Sequence, residues 1–454
     1  MSNQTHSAAE DTSAQDRATP ACAHFGTCGG CQLQDQAYAT QLRLKQARLR
    51  AQLEAANLEL PEIRLHPSEP LAYRNRIRLS LAEVDGQLRA GYLGAIVSPD
   101  DTPAFLPISE CPIAAPILWR ATEAFLAQIN AQPLLWLRNP NQLLDQLELF
   151  TAADESSLQF TLYIRTAAKV LPKKLAADFT ALCETLRSTL PELTGAGISI
   201  LPTLSKERSR RNELPRPGPA WGRPGLTYRV AELDYWVPRG AFFQANRFLI
   251  PELLALVVND RTGQVENLHS DRSAVVNSFR NASTNCHSDT ERSTGEESPH
   301  FVREAKPRTL AKNSLAFDLY AGVGLFSRAL VAGFAQVTAV EIAEPAAAAL
   351  AATKLKNLHA VKATTLDFLR VAVLDRERPD LVVLDPPRTG AGSEVCALLA
   401  RINAPRLIYV SCSPERLPAD LAALTASGYR LDELHLFDLF PQTTHIETVA
   451  ILTR

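Results

Sequence analysis

The stretch "CAHFGTCGGC" places Cys22, Cys28 and Cys31 in a C-x5-C-x2-C arrangement, with Gly26, Gly29 and Gly30 relieving the tight turns. Thiolates held this close either bind a metal or repel one another as they ionise. Three soft ligands need a fourth. The best candidate is Cys111 in "ISECPIA", a turn closed by proline. Four thiolates suit Zn²⁺ or an iron–sulfur cluster. Zinc sites of four cysteines usually pair two short knuckles, so three clustered cysteines and one distant one fit [4Fe–4S] better. A separate thiol, Cys412, ends the apolar run of "LIYVSCSPERL". At the carboxyl end of a strand it faces the crevice where ligands bind, as a nucleophile or as a small hydrophobe. Cys183 and Cys396 lie in helical patterns and read as core, while Cys286 sits in a polar tract and carries no role.

Chemistry of a second kind is suggested by "FDLYAGVGLFSRAL", a strand, a glycine turn and a helix. Gly322 and Gly324 allow a tight turn and close approach of backbone to ligand. Asp318 ends the first strand, and Glu341 ends the next one, "VTAVE", where an acidic side chain can hydrogen-bond ribose hydroxyls. Ser327 replaces the third glycine of a dinucleotide fingerprint. That favours S-adenosylmethionine, which has no pyrophosphate to cradle. "VVLDPPRTG" stops a further strand with two prolines and leaves Asp385 at the crevice.

These residues need a frame. From 315 onward, continuous apolar strands alternate with helical patterns such as 345–357 and 415–427, implying a parallel sheet covered on both faces. The fold class expected is α/β: a carboxyl-terminal Rossmann-like methyltransferase domain, a β-rich central domain and a small amino-terminal iron–sulfur module. Residues 1–20 read as a disordered tail, 21–72 as the cluster module, 73–235 as the β-rich RNA-binding domain and 236–454 as the methyltransferase domain. The Ser/Asn/Thr/Glu-rich stretch 259–313 reads as a disordered insertion. Residues 37–57 read as a helix with Arg43, Lys45, Arg48 and Arg50 around an apolar stripe. "RNRIRLSLAEVDGQLRAGYLG" reads as a hairpin turning at Asp85-Gly86, and 205–225 as an exposed basic loop.

Net charge is −2, so any RNA binding relies on local basic patches rather than on the whole surface. No run reaches transmembrane length. The first twenty residues lack an apolar signal region. Eight cysteines without such a signal point to a reducing cytoplasm. A monomer without membrane contact is expected.

Together, "CAHFGTCGGCQLQ", "YRNRIRLS", "FFQANRF", "FDLYAGVGLF", "VVLDPPRTG", "YVSCSPERLPADL" and "FPQTTHIETVAIL" resemble the RNA 5-methyluridine methyltransferases that carry an iron–sulfur cluster. The resemblance covers about residues 21–258 and 314–454, and the nearest relatives it suggests act on 23S ribosomal RNA. It implies a [4Fe–4S] cluster on Cys22, Cys28, Cys31 and Cys111. It implies S-adenosylmethionine contacts from Gln244, Tyr320, Glu341 and Asp385, with Asp367 of "TTLDFL" near the adenine. It further implies Cys412 as nucleophile and Glu447 as base. The chain departs from the family in lacking a β-barrel before the cysteines, in the 259–313 insertion, and in Leu417-Pro418, where relatives usually carry a helix-friendly pair.

The implied roles match the chemical need. C5 of uracil is a poor nucleophile until a thiolate adds at C6. After methyl transfer a base must remove the C5 hydrogen. On a strand, His445 and Glu447 would share a face. A stacked base must be flipped out to reach the thiol. Phe242 or Phe243 could stack it, unless they are core. Arg74, Arg76 and Arg78 along one strand face, and Arg208, Arg210, Arg211 and Arg216 in the basic loop, are candidate phosphate contacts. Three alternatives stand beside this reading: a transfer RNA acceptor, methylation of an exocyclic amine, and a non-catalytic cluster-bearing RNA-binding protein.

Overall fold

The computed structural model describes residues 16–94, 104–132, 142–166, 171, 173–201, 215–259 and 313–454. The greater part of the polar tail, Arg208, Arg210, Arg211, Cys286 and almost all of 259–313 lie outside the described residues. In chain order the strands are β1 (Ile63–His66), β2 (Arg76–Val84), β3 (Gln87–Leu93), β4 (Phe105–Pro107), β5 (Gln142–Thr151), β6 (Leu158–Thr166), β7 (Leu193–Leu201), β8 (Arg216–Gly222), β9 (Gly225–Val230), β10 (Leu233–Pro238), β11 (Leu315–Leu319), β12 (Gln336–Glu341), β13 (Leu358–Lys362), β14 (Leu381–Leu384), β15 (Arg406–Ser411), β16 (Arg430–Phe437) and β17 (Glu447–Thr453).

The central sheet has the order β4-β3-β2-β5-β6-β7-β8. Its hairpin turns at Asp85 and Gly86, both at positive φ (52° and 74°), as a two-residue turn between right-twisted strands requires. The helices Pro116–Ala131 and Leu175–Thr189 cover one face, packing Phe125 and Phe179 against Phe160. Cys183 is buried in this core, as its helical setting suggests. The expected basic loop 205–225 is corrected: Arg216–Gly222 is strand β8, paired antiparallel to β7. Its prolines are tolerated because β8 is an edge strand.

The carboxyl-terminal sheet has the order β1-β16-β17-β15-β14-β11-β12-β13. Strands β11 to β15 pair parallel. The expectation of a purely parallel sheet fails at the other side, where β17 runs antiparallel to both β15 and β16. Val382, Val383 and Leu384 of β14 are fully buried. Each such side chain contributes about 1.5–3 kcal/mol relative to exposure. Cys396 packs in this core too.

Sequence order reverses between β14 and β11, so a crevice opens beyond their carboxyl ends, the usual ligand position in such sheets. Asp318 and Asp385 stand on its two sides.

The amino-terminal segment is woven into this sheet. β1 pairs parallel with β16. The helix Tyr38–Glu54 turns Lys45 inward, against the expectation of a basic rim. Its Nζ lies 2.6 Å from Asp438 Oδ1, and both side chains are buried. Removing one partner of such a pair costs about 3–5 kcal/mol. Gln41 and Gln442 exchange two hydrogen bonds of 2.9 Å. The backbone N–H groups of Gln32 and Leu33 both donate to Gln442 O. The loop leading into β17 is therefore held by the segment that follows the clustered cysteines.

Candidate active site

Glycine turns and helix starts at the sheet's carboxyl edge enclose a cavity of about 460 Å³, within the range of small-ligand sites. Tyr320, Glu341, Ile342, Ala363–Leu366, Pro387 and Thr389–Val395 line it. Tyr320 sits at φ 62°, an uncommon conformation for a tyrosine that marks a constrained turn. Glu341 Oε2 accepts from Gly322 N at 2.8 Å and Oε1 from Ala343 N at 2.6 Å, so its carboxylate is fixed at the cavity rim. Behind it, fully buried Asp318 accepts from Ser327 N at 2.8 Å and from the Ser327 hydroxyl. The serine in place of a third glycine thus braces the turn. Burial pushes Asp318 up to about 7, and Glu341 adds to the rise.

Asp367 does not line the cavity; its neighbours Thr364, Thr365 and Leu366 do. Its carboxylate accepts from Thr364 Oγ1 at 2.7 Å while its N–H donates back to that oxygen at 3.0 Å, closing a helix-start box. Arg370 also pairs with it. Gly390 and Gly392 were not singled out from the sequence. The signal was there in "TGAG", because both adopt positive φ (80° and 84°).

Beside the cavity lies a second group of side chains. Ser411 of β15 pairs with Thr448 of β17. Cys412 follows the last paired residue of β15 and Glu447 precedes Thr448 on β17, so the two lie together just past the end of that ladder. Asp385 follows Leu384, which pairs with Tyr409 of β15. Gln244, itself buried, donates from Nε2 to Asp385 Oδ2 at 3.3 Å. Burial, then the charges of Glu447 and Asp385, push the Cys412 thiol up to about 11, and Arg388 opposes them. Asp385 rises to about 7 through burial and the nearby Asp318. Glu447 is 2 % exposed, and its Oε1 has no hydrogen-bond partner. Burial, then Asp385, drive its carboxyl well above the usual range, and Arg388 again opposes.

His445 does not share a strand face with Glu447: it precedes β17, is exposed and packs its ring edge on Phe440 at 5.8 Å. Leu417-Pro418 costs nothing locally. Pro418 lies in the first turn of the helix Leu417–Ala426, where a missing N–H leaves no bond unmade.

The candidate phosphate contacts are revised. Arg76 and Arg78 both pair with buried Glu148 and stack on Phe150 and Tyr163, so they serve the central sheet. Arg74 lies outside β2, bridging to Ala114 and Asn246. Of the phenylalanine pair, Phe243 is core and Phe242 is 67 % exposed.

Cys22, Cys28, Cys31 and Cys111 are free and partly buried. Burial raises the thiols of Cys22, Cys31 and, up to about 11, Cys111. Mutual repulsion adds to each, while Arg74 favours the thiolates of Cys31 and Cys111. Cys28 thus acts on Cys22 and Cys31, and Cys31 on Cys111. Among the described residues, no three His, Cys, Asp or Glu side chains converge as a metal site.

Comparison with known proteins agrees with this geometry. Residues 308–454 match the family described as tRNA (Uracil-5-)-methyltransferase. An uncharacterized RNA methyltransferase of Thermotoga maritima is 28% identical over 451 residues, 97% of this chain and 86% of that one. The 23S rRNA (uracil(1939)-C(5))-methyltransferase RlmD of Chromohalobacter salexigens is 29% identical, covering 97% of this chain and 77% of its own. That of Pseudomonas syringae pv. tomato is 29% identical, covering 96% and 80%.

Residues 308–454 carry the methyltransferase domain of the RNA uracil-C5 methyltransferase family, and the chain as a whole is similar to its 23S rRNA enzymes.

Among solved structures, the Pyrococcus abyssi tRNA (uracil-54, C5)-methyltransferase in complex with S-adenosyl-L-homocysteine is similar in fold. Its TM-score is 0.60 at 20% identity, over 94% of this chain and 86% of that one. The methyltransferase thus transfers a methyl group from S-adenosylmethionine to C5 of a uracil in RNA. No helix among its described residues is long and apolar enough to cross a membrane.

Proposed function

We propose that this methyltransferase modifies a specific uridine of 23S ribosomal RNA through a covalent adduct between Cys412 and C6, released by Glu447. The observation that supports the mechanism is the end of the β15/β17 ladder, just past which thiol and carboxylate lie close enough for the Glu447 charge to act on Cys412. The thiolate adds to C6, and the electron pair moves through C5 to the carbonyl at C4. C5 then attacks the methyl of the sulfonium, which leaves as the neutral thioether. Glu447 takes the C5 proton, the C5–C6 double bond re-forms and the thiolate departs. Gln244, Tyr320, Glu341 and Asp385 are the proposed S-adenosylmethionine contacts. The cavity beside Asp385 would hold the cofactor, which supplies the methyl group from its sulfonium when bound. Asp367 acts at most through the helix start it caps.

The ribosomal acceptor is favoured by the near-full-length likeness to the two 23S rRNA enzymes. Transfer of methyl to a 23S rRNA fragment and to transfer RNA, followed by nucleoside mass spectrometry, tests it. The proposal expects 5-methyluridine in the ribosomal RNA alone; product confined to transfer RNA would reverse the assignment. The proposed setting is a cytoplasmic monomer.

Four partly buried cysteines and a nearby guanidinium to offset their charge support a soft metal group in donor chemistry, though among the described residues they do not converge as a preformed site. Cys22, Cys28, Cys31 and Cys111 would hold a [4Fe–4S] cluster, which would supply a cross-link between the amino-terminal loop and the central domain. Anaerobically purified protein should be brown, with iron and sulfide that Cys28→Ser and Cys111→Ser remove. Colourless protein with stoichiometric zinc would refute the cluster.

A further inference from the structure

Asp420 is 6 % exposed and stands outside both the cavity lining and the thiol group. Its carboxylate is nevertheless fully engaged. Oδ2 accepts from Ala391 N at 2.7 Å and from the Tyr409 hydroxyl at 2.6 Å. Oδ1 accepts from Gly392 N at 3.1 Å. The Tyr409 hydroxyl in turn accepts from Ala391 N at 3.1 Å. Ala391 and Gly392, with Gly390, form one wall of the cavity. The positive φ of Gly390 and Gly392 lets the consecutive N–H groups of Ala391 and Gly392 turn towards a single carboxylate. A Cβ on Gly390 would stand 2.7 Å from Asp420 Oδ2, so the glycine is required by the carboxylate's approach. The loop also joins Asp385-Pro386-Pro387-Arg388 to the helix Ser393–Ile402. One buried carboxylate, anchored in the first turn of the next helix, thus sets the path of the chain along the cavity.

We infer that Asp420, backed by Tyr409, is a positioning residue that holds the Gly390–Gly392 wall and thereby sets the affinity for the cofactor without touching it. The inference rests on assigning this cavity to S-adenosylmethionine. It predicts an effect on binding rather than on chemistry, because Cys412 and Glu447 are fixed by the β15/β17 ladder instead.

Calorimetric titration of the full-length protein with S-adenosylhomocysteine tests it, with Glu341→Ala in parallel. Asp420→Asn keeps the shape but puts an amide donor against one of the two N–H groups. Its affinity should fall about tenfold or more, and the KM for S-adenosylmethionine should rise in step while kcat stays within about twofold. Tyr409→Phe is the milder variant, expected to weaken binding about threefold, and it decides the matter if Asp420→Asn does not fold. Wild-type affinity in folded Asp420→Asn, or in Tyr409→Phe, overturns the role of Asp420 if Glu341→Ala binds weakly. If Glu341→Ala also binds normally, the cavity is not the cofactor site, and the inference falls with that assignment. A loss of kcat at unchanged KM would contradict the positioning role as well.

Discussion

The two halves of the active site are built on opposite principles. Around the cavity, carboxylates are paired within the protein: Glu341 with Gly322 and Ala343, and Asp420 with Ala391, Gly392 and Tyr409. Around Cys412, like charges are crowded instead. Glu447 keeps an oxygen without a partner; burial favours the protonated forms of Glu447 and the thiol and Asp385 adds to both, while Asp385 is itself raised by burial and Asp318. A preorganised wall binds a ligand without rearranging. A frustrated group changes its protonation when a ligand's charge arrives. On the proposed assignment the cavity half serves affinity, and the thiol half awaits the sulfonium and the base to complete its electrostatics.

The contrast breaks most directly at the thiol. Cys412→Ala should abolish product, leaving S-adenosylhomocysteine affinity within about twofold of wild type, because no cavity wall depends on it. Glu341→Ala should do the reverse: affinity falls roughly ten- to hundredfold, while single-turnover methylation at saturating donor is retained. Quench-flow measurements together with calorimetry separate the two.

Protonation sharpens the comparison. Asp385 is raised to about 7, so its charged form predominates only above that pH. A sulfonium favours the charged form, and binding must then release a proton. S-adenosylmethionine affinity should therefore increase about three- to tenfold as pH rises from about 6 to about 8. The neutral thioether of S-adenosylhomocysteine should show a flatter profile, and Asp385→Asn should flatten both. A smaller effect concerns the free thiol. Because an ionised Glu447 raises the Cys412 pKa and Arg388 lowers it, Glu447→Gln should speed alkylation of Cys412 by iodoacetamide about threefold at alkaline pH, where Glu447 carries its charge, and leave it unchanged where that carboxyl is protonated. Arg388→Gln should slow it. Peptide mass spectrometry reads both rates.

Much of this site was legible in the sequence because its signals are local. A glycine turn after an apolar strand, an acid at the next strand end and Asp-Pro-Pro after a third each announce themselves within ten residues. What the sequence hid is long-range. That Cys412 and Glu447 are neighbours follows from the antiparallel insertion of β17, which no periodicity encodes. The same insertion moved His445 off the strand. Arg76 and Arg78 looked like phosphate ligands, but Glu148, on the paired strand β5, claims both. Lys45 read as a surface charge because its partner, Asp438, lies far along the chain. Phe242 and Phe243 alternate between solvent and core, and the sequence alone could not say which faced out.

The central claim is a covalent intermediate that Glu447 resolves, and one gel tests it. Glu447→Gln is incubated with S-adenosylmethionine and a 23S rRNA fragment, then run under denaturing conditions. The account predicts a slowly migrating protein–RNA band, absent in Cys412→Ala/Glu447→Gln, with 5-methyluracil joined to Cys412 on digestion. Turnover should fall by on the order of 10²–10⁴. Free 5-methyluridine released at the wild-type rate, with no such band, would contradict it and leave Glu447 without a role as the base.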